Sequence, residues 1–147
     1  MSVSEHPISA LLIAPDRALA AAFLRAAAGE TFFQVIADAK SYMSEQVLEM
    51  RLRQLKPEAV ILDLETDIEQ ACETIRVLVN RTSPIQVIGI HTVQDGPSIV
   101  RSLRAGAAEF LWEPFDESAQ RTAFERISRL RSSGAVEESE NGQVYAF

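Results

Sequence analysis

Five short, mostly apolar runs recur along the chain, and they constrain its fold more than any other feature. They occupy residues 10–14, 32–37, 59–64, 86–90 and 109–112. A strand that is apolar at successive positions must be covered on both faces. The segments between the runs are long enough for a helix and repeat their apolar residues at helical spacing: Leu19, Phe23 and Ala26; Leu48, Leu52 and Leu55; Ala71, Ile75 and Leu78. Strands alternating with helices predict a parallel sheet between two helical layers. The expectation is a three-layer, doubly wound α/β domain of five βα units with strand order 2-1-3-4-5.

The punctuation agrees. Asp16, Asp67 and Asp116 stand where helix N-caps belong, and Asp67 with Gln70 forms a capping-box pattern. Gly96-Pro97 opens the fourth helix, with Ile99, Val100 and Leu103 expected to face inward. Gly29, Gly106 and Gly134 are placed to end helices one, four and five, and Pro57 closes the second. Gln34 marks the second run as an outer strand. The fifth helix is expected to bury Ala123, Phe124, Ile127 and Leu130.

Composition removes several function classes. One cysteine, Cys72, excludes an internal disulfide framework and a cysteine zinc site, and two histidines, His6 and His91, argue against a histidine metal site. A formal charge of -7 argues against nucleic-acid binding. No run approaches the ~20 apolar residues of a membrane span, so a cytoplasmic chain without membrane insertion is expected. Only Lys40 and Lys56 among the 14 basic residues are lysines.

In such a sheet, ligands bind outside the C-terminal ends of strands one and three. Asp16 and Asp63 converge there. Asp16 can be a helix cap or a site acid. Asp63 ends an apolar strand, where an unpaired carboxylate is costly, so a site role is expected.

The segments Leu11–Asp16, Pro57–Leu64 and Arg104–Asp116 resemble the CheY-like receiver domains of two-component response regulators over roughly residues 8–133. The resemblance implies a flavodoxin/CheY-like fold, with Asp63 on the phosphoacceptor position and Asp16 on the second of two magnesium-binding acids. It also marks the departures. Pro15 replaces the first acid, His91 the hydroxyl residue (with Thr92 beyond it), and Glu113 the lysine before Pro114, which occupies the family's cis-proline position. Asp16, Asp63 and Glu113 supply three negative charges with no cation, and a phosphoryl group adds about 1.5 to 2 more. Phosphoryl transfer depends on charge stabilisation. The expectation is therefore a degenerate receiver that is not an enzyme, needs no cofactor, and has a weak or absent magnesium site at Asp16 and Asp63. Phe110 falls on the family's switch-aromatic position, and its other reading is a strand aromatic packed on helix five.

Two further expectations concern partners. Receivers commonly dimerise through helix four, strand five and helix five, which makes Arg101, Arg104, Trp112 and Arg121 interface candidates in a homodimer. After an acidic linker at 134–141, residues 142–147 resemble the first strand of a MinD/ParA-like ATPase domain. The combination is similar to the atypical receivers of CpaE/TadZ-type Flp pilus-assembly ATPases, and implies pilus-assembly or signalling partners and polar docking. The alternatives are a phosphorylated response regulator with Asp63 as acceptor, or a flavodoxin-like ligand binder. The second lacks a Ser/Thr/Gly-rich phosphate loop after strand one.

Overall fold

The computed structural model describes residues 7–129 of the 147. Five parallel strands form one sheet: β1 (Ile8–Ile13), β2 (Phe33–Ala39), β3 (Ala59–Asp63), β4 (Gln86–His91) and β5 (Glu109–Trp112). Their order is β2-β1-β3-β4-β5, as the sequence predicts. Helices α1 (Arg17–Ala27), α2 (Glu45–Leu55), α3 (Ile68–Val79) and α4 (Gly96–Ala105) connect them, and α5 occupies 117–129. The expected linker at 134–141, the strand at 142–147, Leu130 and Gly134 lie outside the described residues. Among those described, no helix is long and apolar enough to cross a membrane.

The period of two in a strand divides the core. Ala10 and Leu12 of β1 join Ile61, Ile88 and Leu111 beneath α1 and α5. Leu11 and Ile13 join Val60, Leu62 and Val87 beneath α2 and α3. On the first face an aromatic stack, Phe33 on Phe124 at 3.8 Å between centroids, ties the edge strand β2 to α5. β2 is half exposed, and its pairing with β1 slips by one residue, leaving Ile36 as the extra member of a bulge.

The caps sit close to where the sequence puts them. Asp16, Ser44, Asp67 and Asp95 each accept a first-turn N–H of the helix that follows. The first helix ends at Ala27 with Ala28 as its cap, one residue before Gly29. Gly106 ends α4 at φ 122°, and an added Cβ would come within 2.8 Å of Val79 Cγ2.

One expectation is reversed. Ile99, Val100 and Leu103 were expected to face inward, yet Val100 is 46% and Leu103 47% exposed and Ile99 only partly buried. The buried face of α4 is Ser98, Ser102 and Ala105. Small residues let the helix lie close to its neighbours. The Cys72 thiol donates to the Arg101 carbonyl at 3.7 Å, and the Ser102 hydroxyl, fully buried, donates to its own helix at the Ile99 carbonyl.

At Gly89 of β4 the sheet has no room for a side chain: an added Cβ would fall 2.4 Å from Leu64 Cδ1 and 2.9 Å from Leu64 Cγ. Gly89→Ala should therefore cost about 1–3 kcal/mol in equilibrium unfolding, as overpacked cores do. Leu64→Ala in the same chain should recover part of that loss, giving a double variant more stable than the sum of the singles. Strictly additive losses would show that the two side chains do not compete for this space.

Candidate functional site

Asp63 lies at the C-terminal edge of the sheet, completely buried. Its two oxygens accept four donors. Oδ1 accepts the backbone N–H groups of Glu65 at 2.7 Å and Thr66 at 3.1 Å. Oδ2 accepts the N–H of Asp16 at 2.9 Å and the hydroxyl of Thr66 at 2.6 Å. A carboxylate has about four acceptor sites, so none remains for a further ligand. The Asp63 carbonyl is also engaged, accepting the Tyr42 hydroxyl at 2.6 Å. Burial, reinforced by the negative charge of Asp63, raises the Tyr42 phenol well above its ordinary pKa and keeps it a donor.

Asp16 meets Asp63 through its main chain. Its own carboxylate Oδ1 accepts the N–H groups of Ala18 and Leu19 at 3.1 Å each, which makes it the N-cap of α1. Pro15, half-buried, contributes neither an acid nor an N–H. Next to them stands a cation that the charge count of the sequence left out. Arg17 Nη1 donates to the Ala14 carbonyl at 2.7 Å and to Asp38 Oδ1 at 3.2 Å, while Nη2 donates to Asp38 Oδ2 at 2.6 Å. The bond to Asp38 raises the Arg17 pKa against the opposing effect of burial. This guanidinium clasps the end of β2 and is already matched by a carboxylate.

The other side of the edge is built from His91, Phe110 and Glu113. His91, 8% exposed, accepts the Val93 N–H at Nδ1 (3.2 Å), which leaves its proton on Nε2 when it is neutral. Its ring stacks on Phe110 at 6.2 Å, and Phe110 in turn meets Trp112 at 5.9 Å. Phe110 packs against the cluster beneath α2 and α3, which Ala105 of α4 also joins, rather than on α5, and this corrects the strand-aromatic reading. Strand alternation is the reason: Leu111 takes the α5 face, so Phe110 takes the opposite one. Glu113 donates its N–H to the His91 carbonyl at 3.1 Å, and the Glu113–Pro114 bond is cis. The Glu113 side chain is half-buried and lines a cleft with Ala22, Arg25 and Ala26 of α1. Phe115 follows at φ 58°, its buried ring edge-on to Phe23 at 5.5 Å.

These residues do not fit a magnesium ion. The ion is held by carboxylate oxygens and several waters. Here Pro15 offers no oxygen ligand from its side chain, Asp16 caps a helix through Oδ1, and both oxygens of Asp63 are filled by donors. Among the described residues, no group of three His, Cys, Asp or Glu side chains could hold a metal.

The four expected interface residues fall into two pairs. Arg101 Nη2 lies 3.0 Å from Glu69 on α3. Arg121 pairs with Glu117 at 3.1 Å and Glu30 at 3.7 Å, and its guanidinium sits over the Phe32 ring. Both are committed within the chain. Arg104 has no ion pair among the described residues, and Trp112 is 37% exposed. Sequence reasoning missed Thr66 and Tyr42. Thr66 was detectable as the third residue after Asp63, since an Asp commonly bonds the backbone two or three residues on; Tyr42 carried no local signal.

No protein-family model matches the chain. Over 90 residues, 58% of its length, it is 29% identical to protein-glutamate methylesterase/protein-glutamine glutaminase 2 of Koribacter versatilis, and it covers 25% of that protein. A protein described as pilus assembly-related, from Burkholderia pseudomallei, superposes with a TM-score of 0.69 at 15% identity, covering 88% of this chain and 96% of that one. A response regulator from Thermotoga maritima gives 0.63 at 24% identity, covering 86% and 98%. Together with the strand order, these likenesses establish the fold of CheY-like receiver domains.

Proposed function

We propose that this chain is a pseudo-receiver: a non-catalytic module that keeps the receiver fold, acts through protein contacts, and is not phosphorylated efficiently. The observation that carries this reading is the closed hydrogen-bond set of Asp63, whose two oxygens accept four donors in a fully buried position. A nucleophilic carboxylate would have to surrender some of these bonds before attacking phosphorus. The edge supplies little to offset the charge of an entering phosphoryl group, because Glu113 stands in the lysine position and Arg17 is bound to Asp38.

The contact surface of this reading is α4 with β5. Val100, Leu103 and Trp112 are exposed there, and Arg104 lies on the same helix. A two-fold homodimer suits a face with apolar residues at its centre and charge at its rim. Within a longer protein, the module would bring two copies of a pilus-assembly ATPase together or dock one at a cytoplasmic site. Support comes from the resemblance of 142–147 to an ATPase strand and from the likeness to the Burkholderia protein.

Three outcomes test the proposal. Incubation with acetyl phosphate and magnesium should leave the intact mass unchanged; a phosphoryl increment that disappears in Asp63→Asn would overturn it and establish the response-regulator alternative. If Asp63 is an anchor, Thr66→Val should cost about 1.5–3 kcal/mol in denaturant unfolding, the range for hydrogen bonds to charged groups. Asp63→Ala should cost more, because it leaves three backbone N–H donors without their acceptor; unchanged stability in both variants contradicts the anchoring role. Sedimentation equilibrium should show a dimer whose dissociation constant rises at least about tenfold in Leu103→Glu, as for a central interface residue. A monomer at every concentration would refute the dimer.

A further inference from the structure

A second concave feature lies at the opposite pole of the sheet from Asp63. It is a cavity of about 450 Å³ at the N-terminal ends of the strands, bounded by the start of β1, the approaches to β3 and β4, and the ends of α2 and α5. Its size falls within the range of about 300–1,000 Å³ typical of small-molecule sites. The floor is aliphatic: Ile8, Leu52, Ile85 and Ile127, each no more than 6% exposed.

The rim is basic, in a chain whose formal charge is -7. Arg53, Lys56 and Arg81 line the cavity, with Glu58 as the one carboxylate among its lining residues. Glu58 Oε1 accepts the Ser9 N–H at 3.1 Å. Arg81 is held by Glu49 at 3.0 Å and by the Ser83 carbonyl at 3.0 Å. Arg53 and Lys56 are exposed and have no ion pair among the described residues. Lys56 is also held in the left-handed region, at φ 51° and ψ 54°, as the C-cap of α2. A left-handed residue is a common way for a helix to end, and it fixes where the Lys56 side chain leaves the chain.

We propose that this cavity binds a medium-chain aliphatic carboxylate. The alkyl body rests on the isoleucine and leucine floor, and the carboxylate lies between Arg53 and Lys56. An inorganic anion would make no use of the floor, and a neutral alkane would make no use of the cations. The guanidinium fork of Arg53 matches a planar carboxylate, and Lys56 adds a second positive charge. The site is separate from Asp63, and the inference does not rest on the pseudo-receiver reading.

The test is calorimetric titration of the full chain with sodium octanoate, with octan-1-ol, inorganic phosphate and octylammonium as comparison ligands. Octanoate should bind at one saturable site, while the alcohol and phosphate bind at least about tenfold more weakly. Arg53→Glu with Lys56→Glu puts two acids at the C-terminal end of α2 and one of them a turn from Glu49, so the unfolding midpoint should fall modestly while the chain stays folded at the titration temperature. The double variant should lose at least about tenfold in octanoate affinity and gain affinity for octylammonium. Absence of saturable octanoate binding, equal binding by the double variant, or equally tight binding of phosphate or octan-1-ol would each overturn the proposal.

Discussion

The carboxylate of Asp63 is the fastening on which the C-terminal edge depends. It fastens three loops that leave neighbouring strands of the sheet: the β1–α1 turn through the Asp16 N–H, the β3–α3 turn through Glu65 and Thr66, and, through the neighbouring carbonyl, the β2–α2 loop at Tyr42. A buried charge is tolerated only when its hydrogen bonds are complete. Here they are complete without a metal or a phosphoryl group. The position that resembles an acceptor in the sequence also serves as a structural junction, and the loops around it are held as a matched set.

The rest of the edge is consistent with that closure. Arg17 ties the first turn to the end of β2, and His91 spends Nδ1 on its own loop while its ring stacks on Phe110. Polar groups that could have reached toward a ligand are turned into local connections instead. The proposed partner contact then falls away from this edge, on α4 and β5, where apolar side chains are left uncovered.

Much of this architecture was legible in the residues. The five apolar runs and the caps at Asp16, Asp67 and Asp116 located the elements, because burial on both faces and capping chemistry are local properties. The convergence of Asp16 and Asp63, and the cis bond at Pro114, followed from the order of the strands and the resemblance. What was not legible depended on packing at a distance. The orientation of α4 is decided by how closely Ser98, Ser102 and Ala105 let it lie, and hydrophobic periodicity alone reads that helix backwards. The clasp of Arg17 on Asp38 spans 21 residues and has no signature at either end.

The bulge in β2 makes the two margins of the sheet unequal. At β2 the ladder is out of step around Ile36, and Gln34 and Asp38 face solvent, so the open backbone there is a poor template for another strand. β5 is short and carries no such irregularity in its register with β4. A sheet that can be extended from only one side yields a closed pair and stops, whereas one open at both sides can propagate into a fibre. The single surplus residue at Ile36 thus makes the β2 margin the less suitable of the two for edge-to-edge pairing.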